Sequence, residues 1–251
     1  MGTGKTYRHE SYKTIALVGK RDSGVLTECL KNIKTYISVS KKAKQDWRVL
    51  VITDTPDDFS SFKPIVEPKD VAGIKNKVIV IHSKNLKPIY PRFHDGLLVI
   101  DSDIIYKDNP NSEEENIATF LLPNRTFKTN TLLCLRSFKD FRVRVIQNTD
   151  FIKLFLMDAK DMFNSDYNNK MFSNGELLNL AEHCFLYEID CHKGMERTHI
   201  LIDLENEKIK CTEKAFCDAI LIFTKILHTK HLKALTTNIA LLSRFLKYYQ
   251  N

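Results

Sequence analysis

The fold is decided by the stretch Thr14-Ile15-Ala16-Leu17-Val18-Gly19-Lys20-Arg21-Asp22-Ser23-Gly24-Val25-Leu26-Thr27-Glu28-Cys29-Leu30. Residues 14–18 are mostly apolar, as in a buried strand, and residues 25–38 carry apolar side chains at helical spacing. Between these segments, Gly19 and Gly24 bound a polar turn. A strand, a glycine-bounded turn and a helix form the layout of a phosphate-binding loop, in which backbone N–H groups and a helix N-terminus hold phosphate. The stretch therefore predicts a nucleotide-binding architecture.

The loop departs from the full pattern G-x-x-x-x-G-K-[ST], which places a lysine and a hydroxyl directly after the second glycine. Val25 and Leu26 stand at those two positions. Lys20 is a candidate replacement for the lysine, and Thr27 for the hydroxyl that holds magnesium. An ordinary strand-to-helix turn is the alternative interpretation of the two glycines. The candidate nucleotide-binding residues are Gly19, Lys20, Arg21, Asp22, Ser23, Gly24 and Thr27.

Five further apolar runs predict buried strands along the first 156 residues. Strands that alternate with helices or long crossovers favour an α/β fold with a doubly wound, mostly parallel sheet. The runs are residues 48–53, 78–81, 96–100, 131–135 and 151–155.

Acidic residues follow the strand at 96–100, at the edge where open α/β sheets bind ligands. Asp101 has the position of a Walker B aspartate, whose usual role is to hold magnesium. The next residue, Ser102, stands where the water-activating glutamate is expected. Asp103 can substitute for that glutamate only if the chain turns there, because alternate residues of a strand face opposite sides. An acid that merely ends a buried strand is the alternative. The predicted magnesium ligands are Asp101 and Thr27.

Two arginines are candidates for contact with a γ-phosphate. Arg125 lies between two predicted strands and is a candidate for reaching the nucleotide of a neighbouring subunit, or else a solvated loop arginine. Arg136 follows the strand at 131–135, where a polar sensor residue would stand, or else it caps the following turn. The candidate catalytic residues are Asp101, Ser102, Asp103, Arg125 and Arg136.

The last third of the chain has a different pattern. It predicts helices over 176–187, 212–227 and 232–249 and a hairpin between 198–204 and 208–211. We expect residues 1–156 to form the core and residues 157–251 to form an extension that completes the same domain. Basic residues near the C-terminus are candidates for nucleic-acid phosphates, or else the solvated face of amphipathic helices. These residues are Lys225, Lys230, Lys233, Arg244 and Lys247.

Composition limits the class of protein. A chain of 251 residues that is 43% hydrophobic can bury a core as one α/β domain. The net charge of +7 indicates a polyanionic partner or simply a lysine-rich surface. Six cysteines without a C-x-x-C pair predict free thiols in a reducing compartment. Since no apolar run reaches the roughly 18 residues of a membrane span, we expect a cytoplasmic protein, in the host cytoplasm or virion-associated if viral.

Taken in order, these features resemble the FtsK/HerA superfamily of DNA-pumping ATPases, which includes viral genome-packaging ATPases and zonula occludens toxin-like proteins. The resemblance covers residues 12–156. It rests on the loop at 19–24, the strands at 49–54, 96–101 and 132–137, and Asn124-Arg125. It implies a P-loop NTPase core of the RecA-like kind, with a mostly parallel central sheet flanked by helices. It also implies ATP and magnesium as cofactors, double-stranded DNA as partner, and a homo-oligomeric ring, hexameric or similar.

Three functions remain open from the sequence. The first is an ATP-dependent subunit of a motor that translocates or packages DNA. The second is a non-catalytic ring or scaffold subunit of the same fold, because Val25 replaces the lysine that grips triphosphate. The third is a basic nucleic-acid-binding module without nucleotide chemistry, which rests on the net charge alone.

Overall fold

The computed structural model describes residues 12–20, 22–85, 93–101, 128–137, 149–157, 175–191, 200–230 and 245–250. Within these ranges ten strands belong to one mixed, mostly parallel sheet that is flanked by helices, and the predicted α/β fold class is confirmed. The strands are β1 Thr14–Val18, β2 Arg48–Thr53, β3 Ile65–Val66, β4 Lys77–His82, β5 Gly96–Asp101, β6 Thr129–Leu135, β7 Phe151–Leu154, β8 Ile200–Asp203, β9 Lys208–Lys210 and β10 Tyr249–Gln250. The helices are α1 Val25–Lys42, α2 Gly175–Cys191 and α3 Glu213–Lys230, with short 3-10 helices at Pro56–Phe62 and Ser83–Asn85.

The described residues fall into two compact units, of which the first contains 12–14, 30–85, 93–101 and 128–133. Its strands follow the order β6-β5-β2-β4-β3, and all of these pairs are parallel. Every residue of β2 is buried, as its near-continuous apolar run predicts for a central parallel strand. At the carboxyl end, Thr53 of β2 is in register with Asp101 of β5 and with His82 of β4. Three strand ends therefore meet along one edge.

The second unit contains residues 15–29, 134–137, 149–157, 175–191, 200–230 and 245–250. Its strands follow the order β10-β9-β8-β7-β1. β1 and β7 are parallel, whereas β8 runs antiparallel to both β7 and β9. The predicted hairpin is thus confirmed as β8 and β9. Helix α2 packs against this hairpin and against α3.

Several element bounds differ from the prediction. Helix α1 continues to Lys42 instead of ending near residue 38, and Lys41 and Lys42 in its last turn complement the helix dipole. The predicted helix over 232–249 is wrong at its end, because Tyr249–Gln250 forms β10. The Ile209 N–H donates to the Tyr248 carbonyl at 2.6 Å, so pairing with β9 overrides the helical pattern there. The rest of that predicted helix, residues 232–244, lies outside the described residues, and the domain boundary at 157 stays a prediction.

Candidate functional site

The turn after β1 is closed tightly at its two glycines. A Cβ on Gly19 would lie 2.5 Å from Ser23 Oγ and 2.6 Å from Phe155 Cβ, and real Cβ atoms essentially never approach heavy atoms within 3.0 Å. Gly24 has a φ of 97°, a backbone conformation that glycine adopts without strain. Helix α1 begins at the next residue, Val25. Both glycines of the predicted loop are therefore required by the geometry of the turn.

Backbone hydrogen bonds anchor the first half of the loop. The Gly19 N–H donates to the Leu135 carbonyl at 3.0 Å, and the Lys20 N–H donates to the Leu156 carbonyl at 2.9 Å. The Ser23 N–H donates to the Lys20 carbonyl at 3.2 Å. Because the first N–H groups of a helix have no intrahelical acceptor, the donors that remain for an anion belong to the first turn of α1. Lys20 can contribute through its exposed side chain.

Ser23 carries a buried hydroxyl without a partner. The residue is 2% exposed, and its Oγ makes no hydrogen bond within the described part of the chain. An unsatisfied buried hydroxyl costs about 1–3 kcal/mol. The sequence pattern placed Ser23 in the loop but contained no signal for this burial, which comes from the close approach of Gly19.

The two positions that depart from the loop pattern lie at the start of α1. Val25 and Leu26 are the first residues of α1, and both are half-buried. Thr27, in the same turn, is exposed. An α-helix turns by about 100° per residue, so the Thr27 hydroxyl lies on a different side of α1 from position 26. Asp22, with a φ of 65°, adds an exposed carboxylate to the loop, and Arg21 lies outside the described residues.

Lys153, which was not among the predicted site residues, is paired with a residue in the first turn of α1. Lys153 of β7 pairs with Leu17 of β1 in the sheet, and its Nζ lies 2.8 Å from Glu28 Oε1. The two side chains are only 15% and 18% exposed. Lys153 also lies over the ring of Phe155, 5.8 Å from its centroid. A lysine inside an otherwise apolar strand was the available signal, but its partner, 125 residues away, was not visible in the sequence.

Arg136 and Ser137 follow β6 directly, and the sensor role of Arg136 stays a prediction. Arg136 is exposed, whereas Ser137 is 8% exposed. The preceding residue, Leu135, accepts the Gly19 N–H. Arg136 therefore comes directly after the residue whose carbonyl is bonded to the first residue of the loop.

In the first unit, Asp101 ends β5 and is half-buried. Its register partner Thr53 accepts the Thr55 N–H on Oγ1 at 3.0 Å, and the Ser83 hydroxyl donates to the Asp54 carboxylate. This edge therefore carries carboxylates held at the ends of parallel strands. Three of the predicted catalytic residues, Ser102, Asp103 and Arg125, lie outside the described residues.

Of the predicted nucleic-acid contacts, Lys247 is described in full. Its Nζ lies 3.7 Å from Glu207 Oε2 and 4.5 Å from the centroid of the Tyr248 ring. A hydrogen bond with Tyr248 raises the pKa of Lys247 above its usual value. Lys225 and Lys230 lie on α3, and Lys233 and Arg244 lie outside the described residues.

The described residues contain no group of three or more His, Cys, Asp and Glu side chains arranged to hold a metal ion. No helix among them combines the length and apolar character that a bilayer crossing requires.

Comparison with known proteins gives structural matches only. No protein-family model and no curated protein matches the sequence. The fold is similar to the genome packaging NTPase B204 of Sulfolobus turreted icosahedral virus 2, solved with sulfate (TM-score 0.52, 17% identity, 78% of this chain and 94% of that chain). It is equally similar to B204 solved with ATP-gammaS (TM-score 0.51, 18% identity, 78% and 94%). A third match is B204, the DNA-packaging ATPase of Sulfolobus turreted icosahedral virus (TM-score 0.50, 16% identity, 78% and 95%). These matches show that the chain has the fold of a P-loop NTPase.

Proposed function

We propose that this protein is the ATP-binding subunit of a motor that packages or translocates double-stranded DNA. The observation that carries the proposal is the loop between β1 and α1, whose two glycines are required by its geometry. The similarity of the fold to B204, described as a DNA-packaging ATPase, supports the same function. The motor would act in the host cytoplasm or in the virion.

Phosphate binding would rest on the backbone more than on side chains. The first N–H groups of α1 and the helix dipole provide positive potential at Gly24 to Thr27. The Ser23 hydroxyl, which has no partner in the described residues, would gain one from a phosphate oxygen. The exposed Lys20 side chain would replace the lysine that position 25 lacks.

Magnesium is implied by the fold, and the two predicted ligands are of the chemical type that it prefers. Mg²⁺ prefers hard oxygen ligands and usually binds one or two carboxylates together with substrate phosphates. The Asp101 carboxylate and the exposed Thr27 hydroxyl are ligands of that type. When bound, the ion neutralises charge on the phosphates. Asp101 would hold it at the end of β5, and Asp103 is the candidate for positioning water, since Ser102 replaces the glutamate.

The arginines and the oligomeric state belong to the same proposal. Arg136 would contact the γ-phosphate, because the residue before it is bonded to the loop. Arg125 would act on the nucleotide of a neighbouring subunit, which requires a homo-oligomeric ring. The basic residues of α3 and of the C-terminal segment would contact DNA phosphates.

The primary test is magnesium-dependent ATP hydrolysis with and without double-stranded DNA. We expect DNA to stimulate hydrolysis and Asp101→Asn to abolish it. Asp57→Asn, at an exposed acid of the Pro56–Phe62 helix, is the matched control and should retain full activity. Hydrolysis that persists in Asp101→Asn would show that Asp101 is not part of the site.

A second candidate function is a non-catalytic ring or scaffold subunit. Val25 and Leu26 favour it, because they fill the first turn of α1 with half-buried apolar groups. This candidate predicts nucleotide-independent assembly and no hydrolysis in the native chain. If calorimetry shows that ATP binds with micromolar affinity, a scaffold subunit that binds no nucleotide would be excluded.

A further inference from the structure

The Lys153 ammonium lies beside the first turn of α1. Its Nζ is 2.8 Å from Glu28 Oε1, and the Glu28 N–H donates to the Gly24 carbonyl at 2.9 Å. A helical side chain points back toward the N-terminus of its helix, so the Glu28 carboxylate lies over the turn that contains Gly24 and Val25. The ion pair therefore holds the ammonium next to the turn whose N–H groups are the proposed donors to phosphate.

The same place is close to the position that the loop pattern reserves for a lysine. Val25 occupies that position, and it neighbours Glu28 on the surface of α1 because the two are three residues apart. A Cβ on Gly19 would lie 3.1 Å from Val25 Cγ2 and 2.6 Å from Phe155 Cβ. The Lys153 ammonium in turn lies 5.8 Å from the centroid of the Phe155 ring. The fold thus brings a lysine of β7 close to the position where the pattern lysine is absent.

The environment of this ammonium suits an anion. The Lys153 and Glu28 side chains are only 15% and 18% exposed, so solvent screens the Lys153 charge less than that of the exposed Lys20. An ammonium has three N–H donors, and in the described part of the chain the Glu28 carboxylate accepts one of them. Lys153 also offsets the charge of Glu28, which would otherwise repel a phosphate at the same end of α1.

We propose that Lys153 is a phosphate-binding residue of the loop, in addition to Lys20, and that its ammonium shares its donors between Glu28 and a nucleotide phosphate. This role rests on the proposed ATP-binding function. A separate observation indicates a ligand at the same loop, because the Ser23 hydroxyl is buried without a partner in the described residues and lies against Gly19. A bound phosphate would offer acceptors to both groups.

The test is isothermal titration calorimetry of the full chain with magnesium-ATP, in a background that carries Glu28→Gln. Because this background has no carboxylate at position 28, a second change at Lys153 leaves no unpaired charge and measures the phosphate contact itself. In the Glu28→Gln background we expect Lys153→Met to weaken ATP binding roughly tenfold to a hundredfold, as for the loss of a hydrogen bond to a charged group. Lys153→Arg keeps a positive charge and N–H donors, so it should bind ATP more tightly than Lys153→Met.

The matched control is Lys214→Met, which removes one positive charge from an exposed position of α3 and should leave the affinity unchanged. Thermal unfolding without ATP measures the structural effect of each change separately. The proposal is overturned if Lys153→Met does not weaken ATP binding in the Glu28→Gln background, or if Lys153→Arg loses as much affinity as Lys153→Met. Either result leaves the ATP-binding function in place. If neither the native chain nor the Glu28→Gln variant binds ATP, the proposed function fails and the role of Lys153 fails with it.

Discussion

The Lys153 ammonium lies 2.8 Å from Glu28 Oε1 and joins β7 to the first turn of α1. The loop that precedes α1 is fixed at its other end by the bond from the Gly19 N–H to the Leu135 carbonyl. The ion pair therefore holds the helix whose first N–H groups are the proposed donors to phosphate.

Removing one partner of this ion pair should destabilise the protein more than removing both. Lys153→Met leaves the Glu28 carboxylate buried without its cation, so we expect a loss of about 2–4 kcal/mol in the free energy of unfolding. Lys153→Met combined with Glu28→Gln should recover at least half of that loss. Urea unfolding of the two single variants and the double variant measures the coupling. Strictly additive effects on the free energy of unfolding would show that the ion pair contributes nothing to stability.

Gly19→Ala should damage the loop, because its Cβ would overlap Ser23 Oγ and Phe155 Cβ. We expect a loss of about 1–3 kcal/mol of stability, as for other over-packed positions, together with loss of nucleotide binding. The control is Gly73→Ala, where a Cβ would meet no atom within 4 Å. A change within about 0.5 kcal/mol is expected there. Equal effects of the two substitutions in thermal unfolding would contradict the tight closure of the loop.

Val25→Lys combined with Leu26→Ser should restore the full loop pattern, because the structure places these residues at the start of α1. We expect the affinity for magnesium-ATP to rise at least tenfold, which corresponds to about 1.4 kcal/mol. Val39→Lys adds the same charge to an exposed position of the same helix and should leave the affinity unchanged. Isothermal titration calorimetry measures all three proteins. An unchanged affinity in the double variant would mean that the loop does not hold phosphate in the expected manner.

Glu182 on α2 should make stability depend on pH. Burial raises the pKa of this carboxyl group to about 7, from an ordinary value of 4.5. The folded state therefore keeps a proton that the unfolded state has lost, and stability should fall as pH rises from about 4.5 to about 7. The neighbouring His183 acts in the opposite sense, because burial lowers its pKa and stability is lost as pH falls through its unfolded value.

The comparison of Glu182→Gln with the native chain isolates the carboxyl group. The variant should lose the decline in Tm between pH 5 and pH 7 while it retains the His183 contribution. Differential scanning calorimetry at several pH values measures both. A parallel decline in the two proteins would assign the pH dependence to other groups.

Lys247 tests the nucleic-acid part of the proposal. The slope of log K against log salt for DNA binding should fall by about one when a phosphate contact is removed. We expect that change for Lys247→Ala and none for Lys34→Ala, an exposed lysine of α1. DNA binding that does not respond to salt in the native chain would exclude the whole set of basic contacts.

Local pattern was sufficient for the six buried strands of the first 156 residues, the glycine-bounded turn and the hairpin, but not for the two-residue strand β3 or for β10. Apolar runs such as 48–53 define buried strands because burial on both faces leaves little room for polar residues. Gly19 and Gly24 could be identified because a turn between a strand and a helix needs residues without a Cβ at particular positions. A few short segments of the sequence, each continuous in the chain, are therefore enough to predict the P-loop fold.

Tertiary structure alone decided the contacts between segments that lie far apart in the chain. Three contacts join residues from different elements: the Lys153–Glu28 ion pair, the packing of Phe155 against Gly19, and the hydrogen bond from the Thr212 N–H to Glu188. The same is true of β10, whose pairing with β9 replaced the end of a predicted helix. Propensity and periodicity describe a residue by its neighbours in sequence, whereas these contacts depend on how strands are ordered in the sheet and on which side chains fill the space between elements.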